Sequence, residues 1–191
     1  MVSRAIFLGF FLAVLSFQIR SAEISGIKIE EKEKLANTEL TLNGAGLRKR
    51  VFFQVYVIGL YLPEKKAAAA DAIAAPGPKR IAIHMLRDVD AAEFAGALTD
   101  GMKQNLSEAE MKAFEPRIRR LVAIMSEMKV AKTGMRVTLD WAGTGTQVTV
   151  EGKPSGAPIE GEDFYRALLK IWLGERPVQD DLKKALLGEK S

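Results

Sequence analysis

The chain contains no cysteine and a single histidine in 191 residues. The missing cysteine removes disulfides, thiol nucleophiles and cysteine-bound metals together. One imidazole backed by carboxylates or methionine is a thin donor set for a transition metal, so no metal site is expected. Net charge is also small. Of a formal +4, Arg4 and Arg20 lie in the first 22 residues, which leaves +2 for the rest. That excess is too weak to argue for nucleic acid, and no nucleic-acid motif accompanies it. The sequence offers no Ser/His/Asp arrangement, no phosphate-binding glycine loop and no spaced pair of acids. Packing must therefore supply the stability. Hydrophobic content of 48% and charged content of 27% suit one globular domain with a sizeable core.

What is present begins with a leader. Arg4 precedes the apolar stretch Ala5–Phe17, AIFLGFFLAVLSF. As a helix this stretch is too short for a hydrocarbon core of about 30 Å, so residues 1–22 read as a signal peptide cleaved after Ala22. Arg20 stands where a small residue is preferred, and an uncleaved membrane anchor is the other reading. Export places the protein in the periplasm or secretes it. Residues 23–191 are then one domain, with no membrane association once the signal is removed.

The domain is organised around Gly44–Leu62, GAGLRKRVFFQVYVIGLYL. The glycines suggest a turn, followed by the cations Arg48, Lys49 and Arg50. The run Val51–Leu62 reads as a strand buried on both faces. The cations thus sit at the mouth of the most hydrophobic element downstream of the leader. Arg48 is either an anchor for the charged end of an elongated acid or a structural arginine tying the turn to carbonyls or an acid. Lys49 and Arg50 read as solvated.

Other elements follow in order. Glu23–Leu35 offers a modest strand and a charge run, EEKEK, read as a solvated loop. Leu40 and Leu42 alternate with polar residues as a short strand. The alanine-rich stretch after Pro63 is a weak helix and linker closed by Pro76-Gly77-Pro78. Arg80–Leu86 is a strand with Ile81, Ile83 and Met85 on one face and Ala82, His84 and Leu86 on the other. Arg87 and Asp88 suggest an ion pair at its end or a contact at the entry to the next helix. Asp90 with Glu93, and Ser107 with Glu110, are capping-box patterns. They open helices burying Phe94, Leu98, Met102 and Leu106, then Met111, Phe114, Ile118, Leu121, Val122 and Met125. Pro116 should kink or break the second helix near Glu115. Met135–Trp141 is a one-sided strand, joined by Gly143-Thr144-Gly145 to a returning strand, Gln147–Glu151. A loop with Pro154, Gly156 and Pro158 precedes helices over Glu160–Leu173 and Pro177–Leu187. The order implies α+β: an antiparallel β-sheet with helices packed on one face.

GAGLR followed by VYVIGLYL resembles the opening of the chalcone isomerase fold. LRDVDAAEF resembles the strand-to-helix entry beside that family's cleft. GEDFYRALLKIWLGERP and the terminal ALLGE are similar to the closing helices of its bacterial, exported, chalcone-isomerase-like branch. The resemblance spans roughly residues 24–188 and implies an open-faced sandwich. In the plant enzymes an arginine, two threonines, a tyrosine and an asparagine order the phenolate, water and substrate. The arginine maps to Arg48 and the first threonine to Tyr56. The tyrosine maps to Phe94, the asparagine to Gly101 and the second threonine to Ile171.

Phe94, Gly101 and Ile171 supply no side-chain donor, and oxyanion stabilisation needs positioned donors. The resemblance therefore implies a non-catalytic exported protein that binds a small amphipathic, anionic ligand, fatty acid-like or haem-like. Arg48, Tyr56, Phe94, Gly101 and Ile171 line the expected cleft. Non-catalytic plant members bind fatty acids with an arginine near this place. The alternatives are a chalcone isomerase-type intramolecular lyase and a structural or protein-interaction module. No cofactor is required. If haem is the ligand, His84 is the candidate axial residue; otherwise His84 is an ordinary strand histidine. The sequence leaves the oligomeric state open.

Overall fold

The computed structural model describes residues 21–189. The leader expected over 1–22 lies outside that range except for Ser21 and Ala22, which pair with Glu30 and Ile29 in the first hairpin.

Among the described residues eleven strands and five helices follow one another. β1 (Ser21–Ile24), β2 (Ile27–Glu30), β3 (Lys32–Leu35), β4 (Thr38–Arg50) and β5 (Phe53–Leu62) precede α1 (Ala69–Ala74). β6 (Lys79–Met85) and β7 (Val89–Asp90) lead into α2 (Ala91–Asn105) and α3 (Glu108–Ser126). β8 (Val130–Ala131), β9 (Arg136–Trp141), β10 (Thr146–Val150) and β11 (Lys153–Ile159) precede α4 (Glu162–Leu173) and α5 (Asp180–Leu186). Seven strands form one antiparallel sheet in the order β11-β10-β9-β6-β5-β4-β3.

The helices cover one face. Ile58 and Leu60 of β5, Ile81 and Ile83 of β6, and Val137 and Leu139 of β9 pack with residues of all five helices in one core. On the opposite face Val57, Tyr61 and Ala82 pack with Ile29 and Leu40 beneath the β1–β2 hairpin, with no helical residue among them. The alternation of β5 and β6 sorts residues between these two cores, which explains why β5 is buried on both sides from Tyr56 onward.

Several expectations need correction. Gly44-Ala45-Gly46 is no turn; it is the middle of the 13-residue β4. A Cβ at Gly44 would lie 2.1 Å from the Ala185 carbonyl oxygen, and one at Gly46 would lie 2.7 Å from Leu182 Cδ1. The glycines let α5 lie against the strand. The chain reverses later, at Val51-Phe52, between paired Arg50 and Phe53. Val51–Val55 is consequently not interior.

Part of the charge run is β3, an edge strand paired with β4, because Glu33 finds cationic partners across the sheet. β9 is covered on its polar side too: Thr138 and Asp140 are buried by that same charge network. The proline loop is β11, an edge strand, where proline needs to donate no ladder hydrogen bond. Pro116 lies within α3, which runs unbroken from Glu108 to Ser126 under the complete Ser107–Glu110 capping box. The Asp90 carboxylate accepts from the Ala92 and Glu93 N–H groups. Glu93 itself turns to Arg50 at 2.8 Å rather than closing a second box.

Lys79 shows how the sheet is tied to α4. Its side chain has 0% exposure, yet Nζ donates to Ala75 O at 2.6 Å, Gly77 O at 3.3 Å and Glu162 Oε1 at 2.9 Å. Three acceptors for three N–H donors make the buried ammonium tolerable.

Candidate functional site

A cavity of about 390 Å³ opens between the β4–β5 hairpin, α2 and α4. Such a volume is within the ordinary range for small-molecule sites, roughly 300–1,000 Å³. Val55 and Tyr56 supply its sheet wall, Phe94 and Leu98 its α2 wall, and Ile171 its α4 wall. The helical spacing of Phe94 and Leu98 aims both at the sheet.

Arg48 is half-buried at the rim. Its Nη1 donates to the Lys49 carbonyl and, at 3.2 Å, to Gln179 Oε1. Among the described residues no carboxylate forms an ion pair with it. Gln179, just before α5, also accepts from the Lys49 N–H at 2.8 Å and donates through Nε2 to Leu47 O at 3.0 Å. One amide thereby holds both the strand backbone and the guanidinium. Neutral partners leave the positive charge uncompensated.

Tyr56 stands opposite Arg48 in the β4–β5 register. The buried Trp172 indole N–H donates to its hydroxyl oxygen at 3.0 Å. Among the described residues nothing accepts the tyrosine proton. Burial pushes the Tyr56 hydroxyl above its ordinary value, outweighing the Trp172 hydrogen bond and the Arg48 charge, so it stays protonated. Arg48 and Tyr56 together present a cation and a spare O–H donor to the polar end of an apolar cavity.

Four more charged residues, Arg50, Arg87, Asp88 and Glu93, frame the mouth. Arg50 pairs with Glu93 in solvent. The expected Arg87–Asp88 pair is absent: Asp88 accepts from Thr133 N–H at 2.7 Å and Oγ1–H at 2.8 Å. Arg87 instead lies 4.7 Å over the Phe53 ring.

Of the five residues expected to line a cleft, Arg48, Tyr56, Phe94 and Ile171 meet at this cavity. Gly101 does not. It is buried between α2 and α4, where a Cβ would lie 2.7 Å from Ile171 Cγ2. Its smallness lets the helices close, and it contributes no wall. His84 is half-buried on the other face of the sheet, alternating away from Ile83 and Met85. Burial and the nearby Arg136 charge lower its pKa. An axial bond from His84 to a group inside this cavity would have to pass through the sheet. Among the described residues no cluster of three histidines or acids is placed to hold a metal ion.

Gln179 and Trp172 were not singled out as site residues by sequence reasoning. Gln179 lies 131 positions from Arg48, and no local pattern announces such a pair.

A family model described as chalcone isomerase-like matches residues 21–188. No curated protein matches by sequence. Among solved structures, a fatty-acid binding protein of Arabidopsis thaliana superposes with a TM-score of 0.71 at 15% identity, covering 88% of this chain and 96% of that one. At that identity the likeness concerns the fold.

Proposed function

Because the chain belongs to the chalcone isomerase-like family, we propose that it is a non-catalytic binding protein for a small amphipathic anion of the fatty-acid class. One observation carries the reading: a half-buried guanidinium, with no acidic partner among the described residues, at the mouth of an apolar cavity. A ligand carboxylate would accept from Arg48 and from the spare Tyr56 hydroxyl. Its apolar body would lie along Val55, Phe94, Leu98 and Ile171. The similar fold of the Arabidopsis fatty-acid binding protein supports this ligand class.

The same positions argue against ring-closing catalysis. Phe94 and Ile171 bring hydrocarbon to the wall, and Gly101 is outside it. At the mapped positions two side-chain donors remain, enough to hold an anion but few for stabilising developing charge and ordering water. The leader over 1–22 would make this an exported binding protein, checked by N-terminal sequencing of the chain recovered from the periplasmic fraction.

Calorimetric titration with a long-chain fatty acid tests the reading. Binding is expected, with Arg48→Ala about tenfold to hundredfold weaker, as for loss of a charge-assisted hydrogen bond of about 1.5–3 kcal/mol. Equal affinity for wild type and variant removes the anchor. Incubation with a chalcone should leave its absorbance decaying at the spontaneous rate. Clear acceleration would restore the isomerase reading.

A further inference from the structure

The tip of the β4–β5 hairpin is the most unusual surface of the described chain. Val51, Phe52 and Phe53 are 79%, 93% and 59% exposed and are the large hydrophobic residues left open to solvent. Val51 has a φ of +57°, at the first position of a two-residue hairpin loop where glycine or asparagine is the usual choice. Neither backbone geometry nor solvation favours a β-branched apolar residue there. Val51 and Phe53 also belong to the rim of the cavity. Four cations surround the tip and the mouth, Arg48, Lys49, Arg50 and Arg87, against two acids, Asp88 and Glu93.

We propose that this tip inserts into the interface of an anionic lipid bilayer and sets the cavity mouth against it. Three apolar side chains on a convex hairpin are far too few for a stable protein interface, which needs about 1,000 Å². Two copies meeting tip to tip would oppose like charges. A bilayer accepts a small convex wedge, and its anionic headgroups match the cations behind it. This departs from the expectation of no membrane association after signal removal, although no described helix is long and apolar enough to span a bilayer. Docking here is peripheral. It stands on the hairpin alone. Passage of an amphipathic ligand between bilayer and cavity rests additionally on the binding function proposed above.

Co-sedimentation with phosphatidylglycerol/phosphatidylcholine vesicles tests the docking. The purified protein should bind them, bind pure phosphatidylcholine about tenfold more weakly, and release as salt rises. Phe52→Asp should weaken binding at least tenfold, and Lys49→Glu about tenfold. Phe52 lines no part of the cavity, so fatty-acid affinity measured without vesicles should be unchanged in Phe52→Asp. Vesicle binding that survives Phe52→Asp overturns the proposal, as does equal binding to neutral vesicles. Concentration-dependent self-association lost in Phe52→Asp, without vesicle binding, would reassign the tip to a second copy and also overturn it. Failure of fatty-acid binding in solution, with vesicle docking intact, would remove the ligand reading and leave the docking standing.

Discussion

The two faces of the sheet use the same side chain in opposite ways. On the face away from the helices, Arg80 makes a two-point contact with Asp140, both bonds 2.7 Å, and a third bond to Glu33 at 2.6 Å. Arg136 reaches Glu33 as well. Arg80 and Arg136 each have an acid there, and the acids are largely buried. On the helical face Arg48 faces an open cavity and is held by an amide and a carbonyl. The difference separates an arginine that locks strands together from one whose charge no acid of the described residues neutralises. Partner chemistry, more than burial, tells the two apart.

The sharpest way to break the comparison is on the locked face. Arg80→Ala leaves the buried Asp140 and Glu33 carboxylates short of a counter-charge. A destabilisation of about 3–5 kcal/mol is expected in urea unfolding, with fatty-acid affinity of the folded fraction unchanged. Arg48→Ala should do the reverse, losing about 1 kcal/mol of stability at most while affinity falls sharply. If both variants lose stability equally, the distinction between the faces fails.

A smaller effect sharpens the open face. Tyr56→Phe removes the spare donor and leaves the Trp172 N–H without its acceptor. Affinity should fall about fivefold, roughly the 1 kcal/mol of a neutral hydrogen bond, measured by the same calorimetry. Unchanged affinity would leave Arg48 alone as the anchor.

The smallest effect is on pH dependence, and it belongs to the locked face. Burial alone would raise the Glu33 pKa, but Arg136 and Arg80 outweigh it and hold it below the ordinary 4.5. A carboxylate depressed in the folded state contributes stability above about pH 4.5, lost as pH falls through its lower folded value. His84 is lowered by burial first and Arg136 second, so its neutral form is favoured by folding. Its contribution is present above about pH 6.5 and lost as acid protonates the unfolded chain. Denaturation midpoints should decline gently from pH 7 to 6 and faster below 4.5. His84→Gln should flatten the first portion.

Much of this was legible in the chain itself. The Ser107–Glu110 box, the apolar stripe of α2 and the two-faced pattern of β6 are local signals, and local physics produces them. The motifs around Arg48 carried the family and most of the cavity wall. What escaped reading was set by distant partners. Gly44 and Gly46 look like turn residues until α5 is laid upon them, and their carbonyl and leucine neighbours lie about 140 positions away. Pro154 and Pro158 signal a loop unless the strand is at a sheet edge. Arg87 and Asp88 are adjacent in sequence, yet each found a better partner across the fold.

The Gln179 amide carries one further implication. β3 pairs with β4 only from Thr38 to Thr41, so among the described residues the outer margin of β4 toward Arg50 has no neighbouring strand. Gln179 fills two of the vacant ladder positions, at Leu47 O and Lys49 N. It acts there as a one-residue stand-in for a strand. Such unpaired margins invite templated growth between molecules. The side chain that steadies Arg48 therefore also occupies edge groups of β4 that another strand could otherwise pair with.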